Sequence, residues 1–136
     1  MGGYFGAVST RDVTMDVFYG TDYHSHLGTR RGGMAIYDAE TGFSREIHNI
    51  ENSPFRTKFE DNVNDMTGTA GIGCISDTDP QPLLIRSNHG CYAIGFVGRI
   101  NNADALMKQY LSFSGGHFEA MSGGKVNATE ILASMI

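Results

Sequence analysis

Two pairs of apolar, strand-like runs, each joined by a short connection containing glycine, constrain this chain most. Residues 34–37 and 43–50 lie on either side of Asp38-Ala39-Glu40-Thr41-Gly42, and residues 83–86 and 91–100 flank Asn88-His89-Gly90. Connections this short join antiparallel neighbours, because a parallel crossover needs a dozen or more residues. A further short buried strand is expected over residues 3–9, and an apolar, Gly-rich one over 70–75. The abundance of glycine, 18 residues against 3 prolines, fits tight strand connections and close backbone approaches.

Helices are predicted between these strands. Thr10 or Asp12 offers a cap for a helix running to about Leu27 and closed by Gly28, with Met15, Tyr19, Tyr23 and Leu27, and Phe18 beside them, turned inward. Ser53-Pro54 is an N-cap followed by proline at the first helical position, which predicts a short helix over 54–65. Ala103, Leu106, Met107, Tyr110 and Leu111 fall at i, i+3, i+4, i+7 and i+8, the spacing of an amphipathic helix. Asn127, with Glu130 three residues on, caps a last segment that ends abruptly in Met135-Ile136; the absence of a stop signal predicts that the polypeptide continues. These elements make one α+β domain over residues 1–136.

Composition removes several function classes. The net charge of −5 offers no basic surface to nucleic acid or anionic lipid. No apolar stretch approaches the roughly 20 residues that span a bilayer, and the first residues lack signal-peptide regions. Met1-Gly2 suggests myristoylation, but that pattern requires Ser or Thr where Gly6 stands. Asn127-Ala128-Thr129 matches the glycosylation sequon and, without a secretory route, is read as incidental. Cys74 and Cys91 are read as a buried pair of structural thiols in a reducing cytoplasm.

Candidate ligand motifs are incomplete. Gly68, Gly71 and Gly73 complete neither GxGxxG nor the Walker pattern. His24 and His26 belong to an HxH, but on a helix their rings diverge by about 200°, and no carboxylate–histidine cluster completes a metal set. Asp77 and Asp79 lack the other ligands of a calcium loop. No metal and no cofactor is expected. His48, His89 and His117 are read as surface or turn residues, Ser76-Asp77-Thr78 as a turn before Pro80, and Arg86 and Arg99 as solvated or ion-paired.

A resemblance runs along the whole chain. Met1-Gly2-Gly3-Tyr4-Phe5-Gly6 resembles the Met-Cys-Gly-(apolar)-Phe-Gly start of class II glutamine amidotransferases. Thr29-Arg30-Arg31-Gly32-Gly33-Met34-Ala35 resembles that family's His-Arg-Gly segment, and Gly71-Ile72-Gly73-Cys74-Ile75-Ser76-Asp77 with Gln81-Pro82-Leu83 its Gly-x-Gly-His-x-Arg strand. Gly95-Phe96-Val97-Gly98-Arg99-Ile100-Asn101 is similar to its Ala-His-Asn-Gly stretch, and Asn127-Ala128-Thr129-Glu130-Ile131 to its Ser-Asp-(Thr/Ser)-Glu motif. The amidophosphoribosyltransferases are the members it is most like. The resemblance implies an N-terminal-nucleophile hydrolase-like sandwich of antiparallel sheets and helices, truncated here, with the phosphoribosyltransferase-type domain missing. It also implies a cytoplasmic location, glutamine or a related small ligand as partner, and leaves a homo-oligomer open.

The residues that carry the family's chemistry are replaced in this chain. Its nucleophile is the cysteine exposed by removal of Met1, and Gly2 stands there. Its substrate carboxylate meets an arginine where Ser76 stands, its oxyanion-hole asparagine is replaced by Val97 beside a retained Gly98, and its amine-binding aspartate is replaced by Ala128. Arg31 survives from the Arg-Gly segment as a residue for an anion or for bracing the loop. The expectation is a glutaminase-like domain without catalytic residues, with Arg31 and Gly98 as remaining substrate-binding positions; the alternatives are an amidotransferase using Cys74 or Cys91, or a non-enzymatic interaction or ligand-sensing module.

Overall fold

The computed structural model describes every residue of the chain except Thr29 and Gly123, with the side chains of all described residues save Ser114 and Ser122. A four-stranded antiparallel sheet in the order β1-β4-β2-β3 forms its centre, from β1 (Gly3–Val8), β2 (Arg31–Asp38), β3 (Gly42–Asn49) and β4 (Ala70–Ser76). Both expected hairpins are present: β2 pairs with β3, and β5 (Leu83–Ser87) with β6 (Gly90–Ile94). Gly42 and Gly90 close them with φ of +84° and +104°, a region that side chains disfavour. The second hairpin strand stops at Ile94, short of the expected residue 100.

Alternation along the strands assigns the faces. Met34, Ile36 and Ile75 point to a core with Val13, Val17, Phe18, Phe55, Phe59, Val63 and Met66. This core lies between the sheet and two helices, α1 (Thr14–Tyr23) and α2 (Phe55–Phe59). Phe55 and Phe59, one helical turn apart, stack with centroids 4.2 Å apart. Gly73 is required by this packing: a Cβ there would run into the Thr21 hydroxyl, so the helix rests on bare backbone. The glycines at 71 and 73 thus serve helix–sheet approach, in line with their failure to complete a phosphate-loop pattern.

The other sheet face meets the β5–β6 hairpin across an apolar groove of about 700 Å³, lined by Ala35, Tyr37, Phe43 and Ile72 from one side and Cys91 to Ala93 from the other. Helices α3 (Ala103–Ser114) and α4 (Ala128–Ala133) follow, α4 packing on β5 and α3 on α4. A small β7–β8 hairpin, Met121–Ser122 with Lys125–Val126, joins these helices. The architecture is an α+β sandwich of antiparallel sheets with helices outside, the fold class expected.

Several local expectations are corrected. The helix α1 begins at Thr14, stops at Tyr23 and continues as a 3-10 turn at Ser25–Leu27. Its buried residues are Thr14, Val17, Phe18 and Thr21, while Met15, Tyr19 and Tyr23 are exposed. Two threonines enter the core because their hydroxyls are satisfied there, Thr21 donating to the Val17 carbonyl one turn back (2.6 Å) and Thr14 to the distant Met66 carbonyl (3.4 Å). Tyr19 lies outside under the Arg56 guanidinium, which pairs with Asp22 at 2.6 Å. β1, expected as a buried strand, is buried only at Gly3 and otherwise alternates between half-buried and exposed positions, as befits an edge strand. The helix expected over 54–65 is α2 followed by a 3-10 turn at Asn62–Asp65. His48 is half-buried against the Phe59 ring and hydrogen-bonded to Asn62.

Asp12, expected as a helix cap, does more than that. Its Oδ1 accepts from the Thr14 N–H (2.8 Å), while Oδ2 accepts from the Thr67 hydroxyl (2.6 Å) and the Gly68 N–H (3.2 Å), joining the start of α1 to the approach to β4. The Thr67 hydroxyl, more than the backbone donors, holds its carboxyl down to about 2 against an ordinary 3.8. A depressed folded-state value contributes stability above the unfolded value, and that contribution is lost as pH falls through the folded value. We expect the stability difference between the wild type and Asp12→Asn to be constant above about pH 4 and to shrink between about pH 4 and 2. Urea unfolding followed by circular dichroism at each pH measures it.

Candidate ligand cleft

Ser76 ends β4, and the turn that follows is set by its side chain: Oγ accepts from the N–H of Thr78 and of Asp79, both at 3.2 Å. The expected turn before Pro80 is therefore present. It carries Asp79 to the start of α4, where the carboxylate accepts from the Ala128 N–H at 3.3 Å, a favourable place for a negative charge at a helix N-terminus. Asn127 caps the same helix by accepting from the Thr129 N–H (2.9 Å) and donates through Nδ2 to the Pro80 carbonyl (2.8 Å). Glu130, expected to reach back to the cap, instead accepts from the N–H of Glu119 and Ala120.

Gln81 locks the opposite wall. Only 3% exposed, its amide pairs with the backbone of Phe96 like a neighbouring strand: Nε2 donates to the carbonyl (2.7 Å) and Oε1 accepts from the N–H (2.5 Å). Oε1 also accepts from the Thr129 hydroxyl at 3.1 Å. One buried side chain therefore ties the turn, the segment after β6 and α4 together. Nothing in the sequence singles Gln81 out, because its partners are a backbone unit 15 residues away and a threonine 48 residues away.

These elements enclose a cleft of about 470 Å³ whose wall includes Gly2, Ser76, Val97, Gly98 and Ala128. These four positions, which the resemblance reads as replaced, lie far apart in sequence and meet in one place, and Gly98 lies with them. Asp77, Asp79 and Arg99 line the same space, and the Met1 ammonium contacts the Asp77 carboxylate. Arg31 does not line it. That residue begins β2 directly opposite Ser76, and cross-strand partners share a sheet face, so Arg31 stands one strand beside the cleft. Gly2 abuts the neighbouring strand: a Cβ in its present conformation would overlap the Ile75 carbonyl, a backbone atom that cannot swing aside.

The thiols are elsewhere. Cys74 is buried and faces Gly95, and burial pushes its thiol up to about 12. Cys91 is exposed on β6 at the sheet-face groove, which corrects the expectation of two buried thiols. His24 and His26 lie at the end of α1 and in its 3-10 extension. Among the described residues no three His, Cys, Asp or Glu side chains gather as a metal site, and no helix is long and apolar enough to cross a membrane.

No family model matches the chain, and no curated protein matches it. Solved structures do. A structure of the allosteric regulatory enzyme of purine biosynthesis is 24% identical at a TM-score of 0.79. Glutamine phosphoribosylpyrophosphate amidotransferase from B. subtilis, complexed with ADP and GMP, gives the same values. In both, the match covers 98% of this chain and 28% of the solved chain. The chain therefore shares the fold of a part of these solved structures, an α+β sandwich of antiparallel sheets and helices.

Proposed function

We propose that residues 1–136 are the class II glutamine amidotransferase-type domain of an amidophosphoribosyltransferase-like protein, with its glutaminase site vacated. One observation carries this reading: Gly2, Ser76, Val97 and Ala128, replaced independently along the sequence, line one cleft. The cleft lacks a nucleophile, an oxyanion-hole amide and the substrate-holding pair at the family's positions, and each removes transition-state stabilisation. What remains is a walled space with Gly98 in it and Arg31 at the start of the adjoining strand. This suits a structural or ligand-holding role in a cytoplasmic biosynthetic protein, with a phosphoribosyltransferase-type domain elsewhere.

The cysteines offer no substitute nucleophile. Neither lines the cleft, and a thiol held near 12 is almost wholly protonated at neutral pH. Incubation of the protein with glutamine is expected to release no glutamate above the uncatalysed background, measured by a coupled glutamate assay. Turnover that disappears in Cys74→Ser or Cys91→Ser would replace this reading with an active amidotransferase using that thiol.

A further inference from the structure

We propose that Arg99 is the anion anchor of the cleft and that the ligand it selects is a small carboxylate. The inference rests on the reading that the cleft still holds a ligand, and concerns which residue and which chemistry do so. Among the charged groups around the space, Asp77 meets the Met1 ammonium and Asp79 meets the α4 backbone, its own N–H held by Ser76. Arg99 has no ion pair and no side-chain hydrogen bond among the described residues, yet it lines the cleft. It follows Gly98 on the exposed segment after β6, facing a space whose other wall presents Ser76. The Ser76 oxygen accepts two backbone N–H groups, which leaves its hydroxyl proton available to a ligand.

Charge balance selects the class of anion. A guanidinium offers a planar fork that fits a carboxylate through two parallel hydrogen bonds. Two aspartates line the cleft with Arg99 and the Met1 ammonium, and because that ammonium is already paired with Asp77, a multiply charged phosphate on Arg99 meets more repulsion from Asp79 than a single carboxylate does. The arginine of the family's motif is absent at Ser76, and Arg99 supplies the same charge within the same cleft.

Titration of the isotope-labelled protein with glutarate, L-glutamine and inorganic phosphate, followed by amide and guanidinium NMR shifts, tests this. The two carboxylates should shift Gly98 and Arg99, and phosphate should bind at least several-fold more weakly. Arg99→Ala should weaken glutarate binding at least tenfold with a native spectrum, Arg99→Lys should recover only part of it, and Arg86→Ala, on β5 beside Cys91, should bind like the wild type. Equal binding by Arg99→Ala, tighter binding of phosphate, or no shift with either carboxylate would overturn the proposal. Hydrolysis of glutamine would overturn the vacated-site reading instead, and the two failures are read by separate assays.

Discussion

Replacing Phe59 with alanine is expected to cost about 3–5 kcal/mol of folding stability, the range for deleting a buried aromatic ring. Phe59 is fully buried, stacks on Phe55 at 4.2 Å and carries the edge of His48 at 4.7 Å. The five residues of α2 form too short a helix to be stable alone. Its two rings, rather than its backbone, hold it on the sheet, so the cavity would also release the turn that carries Val63 and Met66 into the core. Urea unfolding should show a lower midpoint with little change in slope. A loss under 1 kcal/mol would mean that α2 is not part of the core.

Gln81→Leu should cost about 2–4 kcal/mol although it exchanges a polar residue for an apolar one. The loss comes from stranded partners, each unsatisfied buried group costing about 1–3 kcal/mol. The Phe96 N–H and carbonyl and the Thr129 hydroxyl all lose their partner at once. Partial exposure lets water reach Phe96, which keeps the sum below three full penalties. The effect should also be local: hydrogen exchange is expected to speed up over residues 96–99 and at the start of α4 while β2 and β4 stay protected. Thr129→Val, which removes one of the three bonds, should cost less. Uniform loss of protection in Gln81→Leu would show that Gln81 does not organise the cleft wall specifically.

The sequence made the antiparallel frame legible because its determinants are local. Gly42 and Gly90 stand where a positive φ is needed, and Asn127 accepts from Thr129 within its own helix start. The i, i+4 stripe of Met15, Tyr19, Tyr23 and Leu27 is not the buried face of α1, because apolar spacing takes no account of hydrogen bonding. Thr14 and Thr21 go inside once their hydroxyls find carbonyls, and Tyr19 goes outside to Arg56. Of the cleft, the positions of Gly2, Ser76, Val97, Gly98 and Ala128 were legible through motif order, and their meeting in space required the fold. Gln81 and Asp79 carry no sequence signal, since their roles depend on partners from other elements and not on spacing. Arg31 was placed in the site by its motif, whereas the register puts it beside the cleft.

The proposed vacancy of Gly2, Ser76, Val97 and Ala128 holds together only if no one of these positions controls activity alone. Gly2→Cys, with removal of Met1 verified by mass spectrometry, tests this most directly through glutamate release from glutamine. On the proposed reading, the introduced thiol would face a wall without the arginine, asparagine and aspartate of the family's site. The residue would also need a backbone shift away from the Ile75 carbonyl. The expected result is turnover at the uncatalysed background for the single variant. Robust glutamate release from Gly2→Cys alone would contradict the account, showing that Ser76, Val97 and Ala128 are not vacancies and that position 2 was the whole difference.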